Sequence, residues 1–179
     1  GYGIPLVDRG ELDQSQHDTP REVFAVSDAC LLVRSDLFAT IDGFTESIPY
    51  FGEDIDLCWR AHIAGATVHL CPSAVVAHRG RFTDRRATAN WNRLALRHES
   101  RTMLTNYEPL RLMRLAPVAA VLSAIDLLGS LVGGRFHRAG DIVASWTWNL
   151  VRIPSLLTAR SRVKRVRRAH DAEYLPLMR

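Results

Sequence analysis

The sequence predicts an α/β unit followed by a long helical segment. Short apolar runs with the character of strands alternate with helices between residues 23 and 80, and the pattern is helical throughout from residue 90 onward. A hydrophobic share of 47% and a charged share of 23% over 179 residues are ordinary for a folded protein with a sizeable core. We therefore expect a loop over residues 1–22, the α/β unit over residues 23–89 and a helical tail over residues 90–179.

The apolar runs of the α/β unit predict four strands separated by two helices, with strands at residues 23–26, 30–33, 67–71 and 74–77 and helices at residues 35–40 and 53–64. Ser35 is a suitable N-cap for the first helix, and Gly65 is a suitable stop for the second. The second helix has one apolar face, which His62 shares. We therefore expect His62 to be packed in the core rather than to bind a ligand.

The start of the second helix is rich in carboxylates. Glu53, Asp54 and Asp56 fall at this end, where the helix dipole favours the charged form of an acid and suits it to act as a base or to meet a cation. His78 closes the next extended segment and could bind a metal ion in the same cleft. The alternative is an ordinary helix start, in which Asp56 pairs with Arg60 on a solvated face.

Five short blocks within residues 25–81 resemble, in the same order, the acceptor-side half of family 2 glycosyltransferases. The blocks read ACLLVR at residues 29–34, DLF and IDGF at 36–44, EDIDLCWR at 53–60, AG at 64–65 and PSAVVAH at 72–78. That family has the GT-A fold. The resemblance implies an α/β fold made of a partial GT-A (Rossmann-like) half domain, followed by an α-helical, membrane-associated segment like those of large membrane-embedded actinobacterial transferases.

The resemblance also assigns roles to individual residues. The second acid of the Glu-Asp pair, Asp54, corresponds to the family's catalytic base, and Glu53 would orient the acceptor. Asp28 stands where the family has a small residue, which suggests that it contacts the acceptor. His78 corresponds to the histidine that completes the metal site in some members, so a divalent cation, Mn²⁺ or Mg²⁺, is the implied cofactor.

The donor side of such an enzyme is not evident in these residues. No Asp-x-Asp motif precedes the acceptor-side blocks, and the start of the sequence shows no strand, Gly-rich turn and helix that could hold a phosphate. The resemblance thus implies that a missing N-terminal half binds the nucleotide-sugar donor, and that this piece alone does not catalyse. The implied reaction is inverting sugar transfer to a glycan or lipid-linked acceptor in cell-envelope polysaccharide synthesis.

The tail has the features of a membrane-associated segment. Its apolar stretch at residues 115–132 approaches the length needed to span a bilayer, but Pro117 and Asp126 favour a helix that lies at the interface. Trp146 and Trp148 would sit at headgroup level, and the basic run at residues 160–168 would face anionic lipid on the cytoplasmic leaflet. The alternative is that these helices pack on the rest of the protein.

Other classes are less well supported. The basic tail lacks the interleaved aromatic residues of a nucleic-acid-binding segment, so no nucleic-acid partner is expected. The three cysteines, Cys30, Cys58 and Cys71, have no CxxC spacing and are expected to be reduced core residues. Two rival functions remain: a non-catalytic pseudo-glycosyltransferase module that scaffolds a membrane complex, and a metal hydrolase built from Glu53, Asp54, Asp56 and His78.

Overall fold

The computed structural model describes residues 11–12, 14–16, 18–77 and 88–178. These ranges contain two short strands and seven α-helices: β1 (Arg21–Glu22), α1 (Ser35–Thr40), α2 (Glu53–Ile63), β2 (His69–Leu70), α3 (Thr88–Asn106), α4 (Pro109–Val132), α5 (Phe136–Val151), α6 (Ile153–Val166) and α7 (Asp171–Tyr174). Two 3₁₀ helices lie at Asp28–Cys30 and Leu175–Met178. The tail is therefore helical, as its pattern predicts.

The sheet is smaller than the sequence predicts. β1 pairs antiparallel with β2, with Arg21 opposite Leu70 and Glu22 opposite His69. The expected strand at residues 67–71 contains β2, but residues 23–26, 30–33 and 74–77 form no strand in the described part of the chain. Val23 still donates to the Val68 carbonyl at 2.9 Å. From Phe24 onward the chain follows α2 instead of a neighbouring strand, with Phe24 O 3.1 Å from His62 Nε2. A partial GT-A half domain stays a prediction.

The sequence predicts the end of α2 correctly but not the N-cap of α1. Ser35 is the first residue of α1 rather than its cap, and Arg34 takes the N-cap position without a side-chain cap bond. α2 stops at the predicted glycine. Gly65, at φ +81°, donates to the His62 carbonyl at 2.8 Å, and Ala66 donates to the Ala61 carbonyl at 3.0 Å, which is the Schellman ending.

The tail helices form a layer around α3. α3 packs on α5 and on α6, and α5 also packs on α4. Buried polar residues form the contact between α3 and α5, where Asp141 pairs with the Arg93 guanidinium at 2.8 Å. Four and eight residues later, Ser145 Oγ donates to the Arg93 carbonyl at 3.2 Å and Asn149 Nδ2 donates to the Arg97 carbonyl at 3.2 Å. One polar stripe of α5 therefore faces α3.

The main hydrophobic core joins the two predicted regions. Its buried members are Trp59, Ile63, Val163, Ala169 and Tyr174, with Phe24 and Tyr107 packed against them. The core position predicted for His62 is confirmed, because its ring is 3% exposed and stacks on Phe24 and Tyr174. Residues from α6 and α7 thus cover α2, which favours the alternative in which tail helices pack on the rest of the protein.

Candidate functional site at the start of α2

Asp56 anchors α2 to its surroundings. Its carboxylate is 1% exposed and accepts three kinds of hydrogen bond: from Thr45 Oγ1 at 2.6 Å, from Arg60 Nε at 2.9 Å and from Asn106 Nδ2 at 3.0 Å. The pairing with Arg60 predicted from the i,i+4 spacing is present, but it is buried and does not lie on a solvated face. Because its oxygens are bound by protein groups, Asp56 is not available to a metal or a substrate.

The loop before α2 is held in an unusual backbone conformation. Phe51 and Gly52 both have left-handed φ angles, +58° and +113°, and such a φ is a genuine outlier for a bulky residue like phenylalanine. Two residues of α3 hold the loop in place. The ring centroids of Phe51 and Trp91 are 5.3 Å apart, and His98 Nδ1 donates to the Tyr50 carbonyl. Burial lowers the pKa of His98, so its neutral form is the favoured donor. Strain of this kind accumulates at functional sites.

The segment after β1 runs antiparallel to α2. Three contacts mark its path: Phe24 O with His62 Nε2 at 3.1 Å, the Val26 amide with the Cys58 thiol, and the Asp28 carboxyl with the Glu53 carboxyl. Two residues of extended chain advance about 6.6 Å, and the matching steps of four and five residues along the helix advance about 6 and 7.5 Å, so the contacts stay nearly in step. This register carries Asp28 to the N-terminal end of α2.

Three carboxylates therefore meet at one end of α2. Burial raises the pKa of Glu53, and the neighbouring charges of Asp28 and Asp54 and a hydrogen bond to Asp28 act in the same direction. The backbone amide of Glu53 opposes these effects, but the neutral form of Glu53 is still more favourable than in an isolated side chain. Asp54 Oδ1 accepts from the Ile55 amide at 2.8 Å, and no hydrogen bond to its other oxygen occurs among the described residues. The arrangement places Asp28 and Asp54 beside Glu53, whose pKa is raised.

The structure brings together three of the four predicted site residues, Asp28, Glu53 and Asp54. The fourth, His78, lies outside the described residues. Within the described ranges, no group of three or more His, Cys, Asp or Glu side chains is placed to hold a metal ion. Asp28, Glu53 and Asp54 therefore do not form a cation site by themselves, and a site in this region depends on His78.

The cysteine prediction is correct for one residue. Cys58 is buried, and burial raises the pKa of its thiol. Cys30 and Cys71 are exposed free thiols and not core residues. Cys30 ends a 3₁₀ helix, and Cys71 follows the last residue of β2. Thr45 and Asn106 hold the acidic helix in place, and His98 holds the loop before it. His98 and Asn106 lie 48 and 50 residues from their partners in the sequence, and Thr45 lies in the loop before α2, so no helical spacing marks them.

Part of the basic run at residues 160–168 binds other groups of the same chain. Arg160 donates to the carbonyls of Leu104, Thr105 and Tyr107 at the end of α3. Arg162 pairs with Asp42 at 2.9 Å and Arg167 with Asp171 at 3.0 Å. Carbonyls and a carboxylate of the same chain therefore bind Arg160 and Arg167, whereas Arg162 belongs to an exposed pair. The expectation of a run that faces lipid stays a prediction. Lys164, Arg165 and Arg168 are exposed.

α4 is the one helix in the described part of the chain that is long and apolar enough to cross a membrane, and only 6% of its most apolar window is buried. The acid that argues against a membrane environment, Asp126, is paired: Arg138 of α5 donates to both of its oxygens, at 2.9 and 2.6 Å. α4 is weak evidence for association with a membrane.

Comparison with known proteins points to sugar transfer. A stretch of 71 residues is 39% identical to the pre-mycofactocin glycosyltransferase of Mycobacterium tuberculosis, in strains CDC 1551 / Oshkosh and ATCC 25618 / H37Rv. The match covers 37% of this chain and 15% of those relatives, so the chain spans about 15% of their length. No protein-family model and no solved structure matches the chain. The similarity supports a relation to a glycosyltransferase.

The Asp56 network gives a direct test of the site's architecture. We expect Asp56→Asn to lower the free energy of unfolding by about 3–5 kcal/mol, because it leaves the Arg60 charge buried without its counter-ion. Urea denaturation followed by circular dichroism measures the change. The matched control is Asp36→Asn, which removes the carboxylate of an exposed pair with Arg34 and should alter stability far less. Equal effects of the two substitutions would contradict the anchoring role of Asp56.

Proposed function

We propose that this chain is the acceptor-side part of an inverting family 2 glycosyltransferase with a GT-A fold. The donor is a nucleotide sugar, and the acceptor is a glycan or a lipid-linked glycan of cell-envelope polysaccharide synthesis. The observation that carries the proposal is the meeting of Asp28, Glu53 and Asp54 at the start of α2. The similarity to a glycosyltransferase supports it.

In the proposed mechanism Asp54 is the general base. It accepts the proton of the acceptor hydroxyl while that oxygen attacks the anomeric carbon of the donor. Three features support this role: its position in the first turn, where the helix dipole stabilises a carboxylate, an oxygen without a partner among the described residues, and a rigid supporting loop. Glu53, the neighbouring acid, orients the acceptor through a hydrogen bond with one of its hydroxyl groups, and Asp28 accepts a hydrogen bond from a second hydroxyl.

A divalent cation, Mn²⁺ or Mg²⁺, is part of the proposal, with His78 as its candidate ligand in this chain. When bound, such an ion neutralises the charge of a leaving diphosphate. The site is proposed to face the cytoplasm on a membrane-associated protein. The exposed apolar side of α4 supports the association with a membrane.

The rival functions differ in how they fit the structure. A metal hydrolase that uses Asp56 as a ligand is disfavoured, because Thr45, Arg60 and Asn106 bind its carboxylate. A non-catalytic scaffold would need the fold of α2 but not the acids at its start. Activity of variants at Asp54 therefore separates a scaffold from an enzyme.

We expect Asp54→Asn in the intact enzyme to lower the rate of sugar transfer about 10² to 10⁴-fold, because the amide cannot accept the acceptor's proton. Binding of the nucleotide sugar, measured by calorimetry, should change little. The control is Asp42→Asn, which removes an exposed carboxylate at a left-handed position that asparagine tolerates. Retention of more than about half the wild-type rate by Asp54→Asn would rule out this residue as the base.

The cation is tested separately. His78→Ala should raise the Mn²⁺ concentration that gives half-maximal activity, because loss of a ligand weakens metal affinity. His69→Ala, which alters an exposed histidine whose Nε2 contacts Thr67, is the control and should leave the titration unchanged. A metal titration of His78→Ala that overlays the wild type would remove His78 from the metal site.

A further inference from the structure

A groove between α4 and α5 combines apolar walls with a cationic end. It has a volume of about 740 Å³, and Leu127 and Leu131 of α4 line one side. Val143 and Val151 of α5 continue the apolar surface. The volume lies in the range of ligand sites in proteins. Apolar walls of this kind suit a hydrocarbon chain.

Arginines gather around Trp148 at one end of this groove. The Arg97 and Arg152 guanidinium carbons lie 4.9 and 4.6 Å from the centroid of the Trp148 ring, and both residues line the groove. Neither forms an ion pair with a carboxylate in the part of the chain that the structure describes, and Arg97 Nε is buried there without a hydrogen-bond partner. The Arg101 guanidinium carbon lies 5.8 Å from the same centroid, but this guanidinium already donates a hydrogen bond to Ser155 Oγ.

The charges at this end favour an anion. Burial lowers the pKa of Arg97, and the positive charges of Arg152 and Arg93 lower it further. A bound phosphate would relieve that repulsion and would accept hydrogen bonds from two guanidinium groups at once. A soluble anion would leave the apolar walls of the groove in water, whereas a lipid with a phosphate headgroup covers both parts.

We propose that the groove between α4 and α5 binds a phosphate-bearing membrane lipid, with its phosphate at Arg97 and Arg152 and its hydrocarbon chain against Leu127, Leu131 and Val143. The proposal rests on the proposed association with a membrane. It places the lipid contact at this groove instead of at the basic run at residues 160–168.

The orientation of α4 is consistent with this site. α5 presents Asp141, Ser145 and Asn149 to α3, so α4, packed on α5, runs along the outside of the helical layer. Its side chains at Val121, Ile125 and Leu128 are 58–61% exposed. A helix in this position lies along a membrane surface with the groove at its flank.

Vesicle flotation at several salt concentrations tests the proposal. The wild-type protein should bind phosphatidylcholine vesicles that contain phosphatidic acid more tightly than vesicles of phosphatidylcholine alone. The double substitution Arg97→Gln and Arg152→Gln should weaken binding at least tenfold more than Lys164→Gln and Arg165→Gln, which remove the same charge from exposed positions of the basic run. Equal losses in the two double variants would overturn the groove as the site.

A second variant fills the groove without disturbing the fold. A Cβ added at Gly140 meets no atom within 4 Å, and this residue lines the groove from within α5. Gly140→Gln should therefore fold normally, as checked by circular dichroism and thermal unfolding, and should reduce binding to the phosphatidic acid vesicles. A folded Gly140→Gln protein with wild-type binding would contradict the proposal.

Soluble competitors separate a lipid from a free phosphate. Glycerol phosphate at the same phosphate concentration should not displace the protein from the vesicles, because it lacks the chain that the apolar walls accept. Displacement by glycerol phosphate would show a phosphate site without a lipid requirement and would overturn the proposal. Absence of binding to any vesicle would overturn the membrane association as well, and sugar transfer by the intact enzyme would remain a separate question.

Discussion

The buried carboxylate of Asp56 is the interaction on which the rest of the site depends. It joins three parts of the chain, since Thr45 belongs to the loop, Arg60 to α2 and Asn106 to the end of α3. An isolated buried carboxylate costs several kcal/mol, and the bound donors offset that cost. Of the three acids at the start of α2, one is therefore structural, and the other two are left to face Asp28.

Arginines of the tail have a similar structural role, because they bind unpaired backbone groups of a helix. Arg160 and Arg167 donate to the carbonyls at the C-terminal end of α3, where a helix leaves carbonyls unpaired and the dipole favours positive charge. α3 therefore ends against cations supplied by α6 and the segment after it. The same helix presents Arg97 and Arg101 to Trp148. Some arginines of this basic tail therefore bind carbonyls at the C-terminal end of α3, and others lie at the cationic end of the groove between α4 and α5.

The local features of the site follow from the sequence, whereas its long-range contacts do not. The helix at residues 53–64, its glycine ending, the core position of His62 and the Asp56–Arg60 pair all follow from spacing along one helix. The burial of that pair depends on Thr45 and Asn106, which only tertiary packing brings near. Residues 23–26 and 30–33 have the apolar composition of strands, but most of residues 23–26 lies against α2. Periodicity alone cannot distinguish an extended segment on a helix from one in a sheet.

The central claim is that Asp28, Glu53 and Asp54 share one charged environment at the start of α2. A carbon-13 NMR titration of the Glu53 side-chain carboxyl tests this claim most directly. The account predicts a pKa above the usual range of glutamate, and a lower pKa in Asp28→Asn, because the substitution removes a negative charge and supplies an amide donor. An ordinary pKa of Glu53 that does not respond to Asp28→Asn would contradict the account.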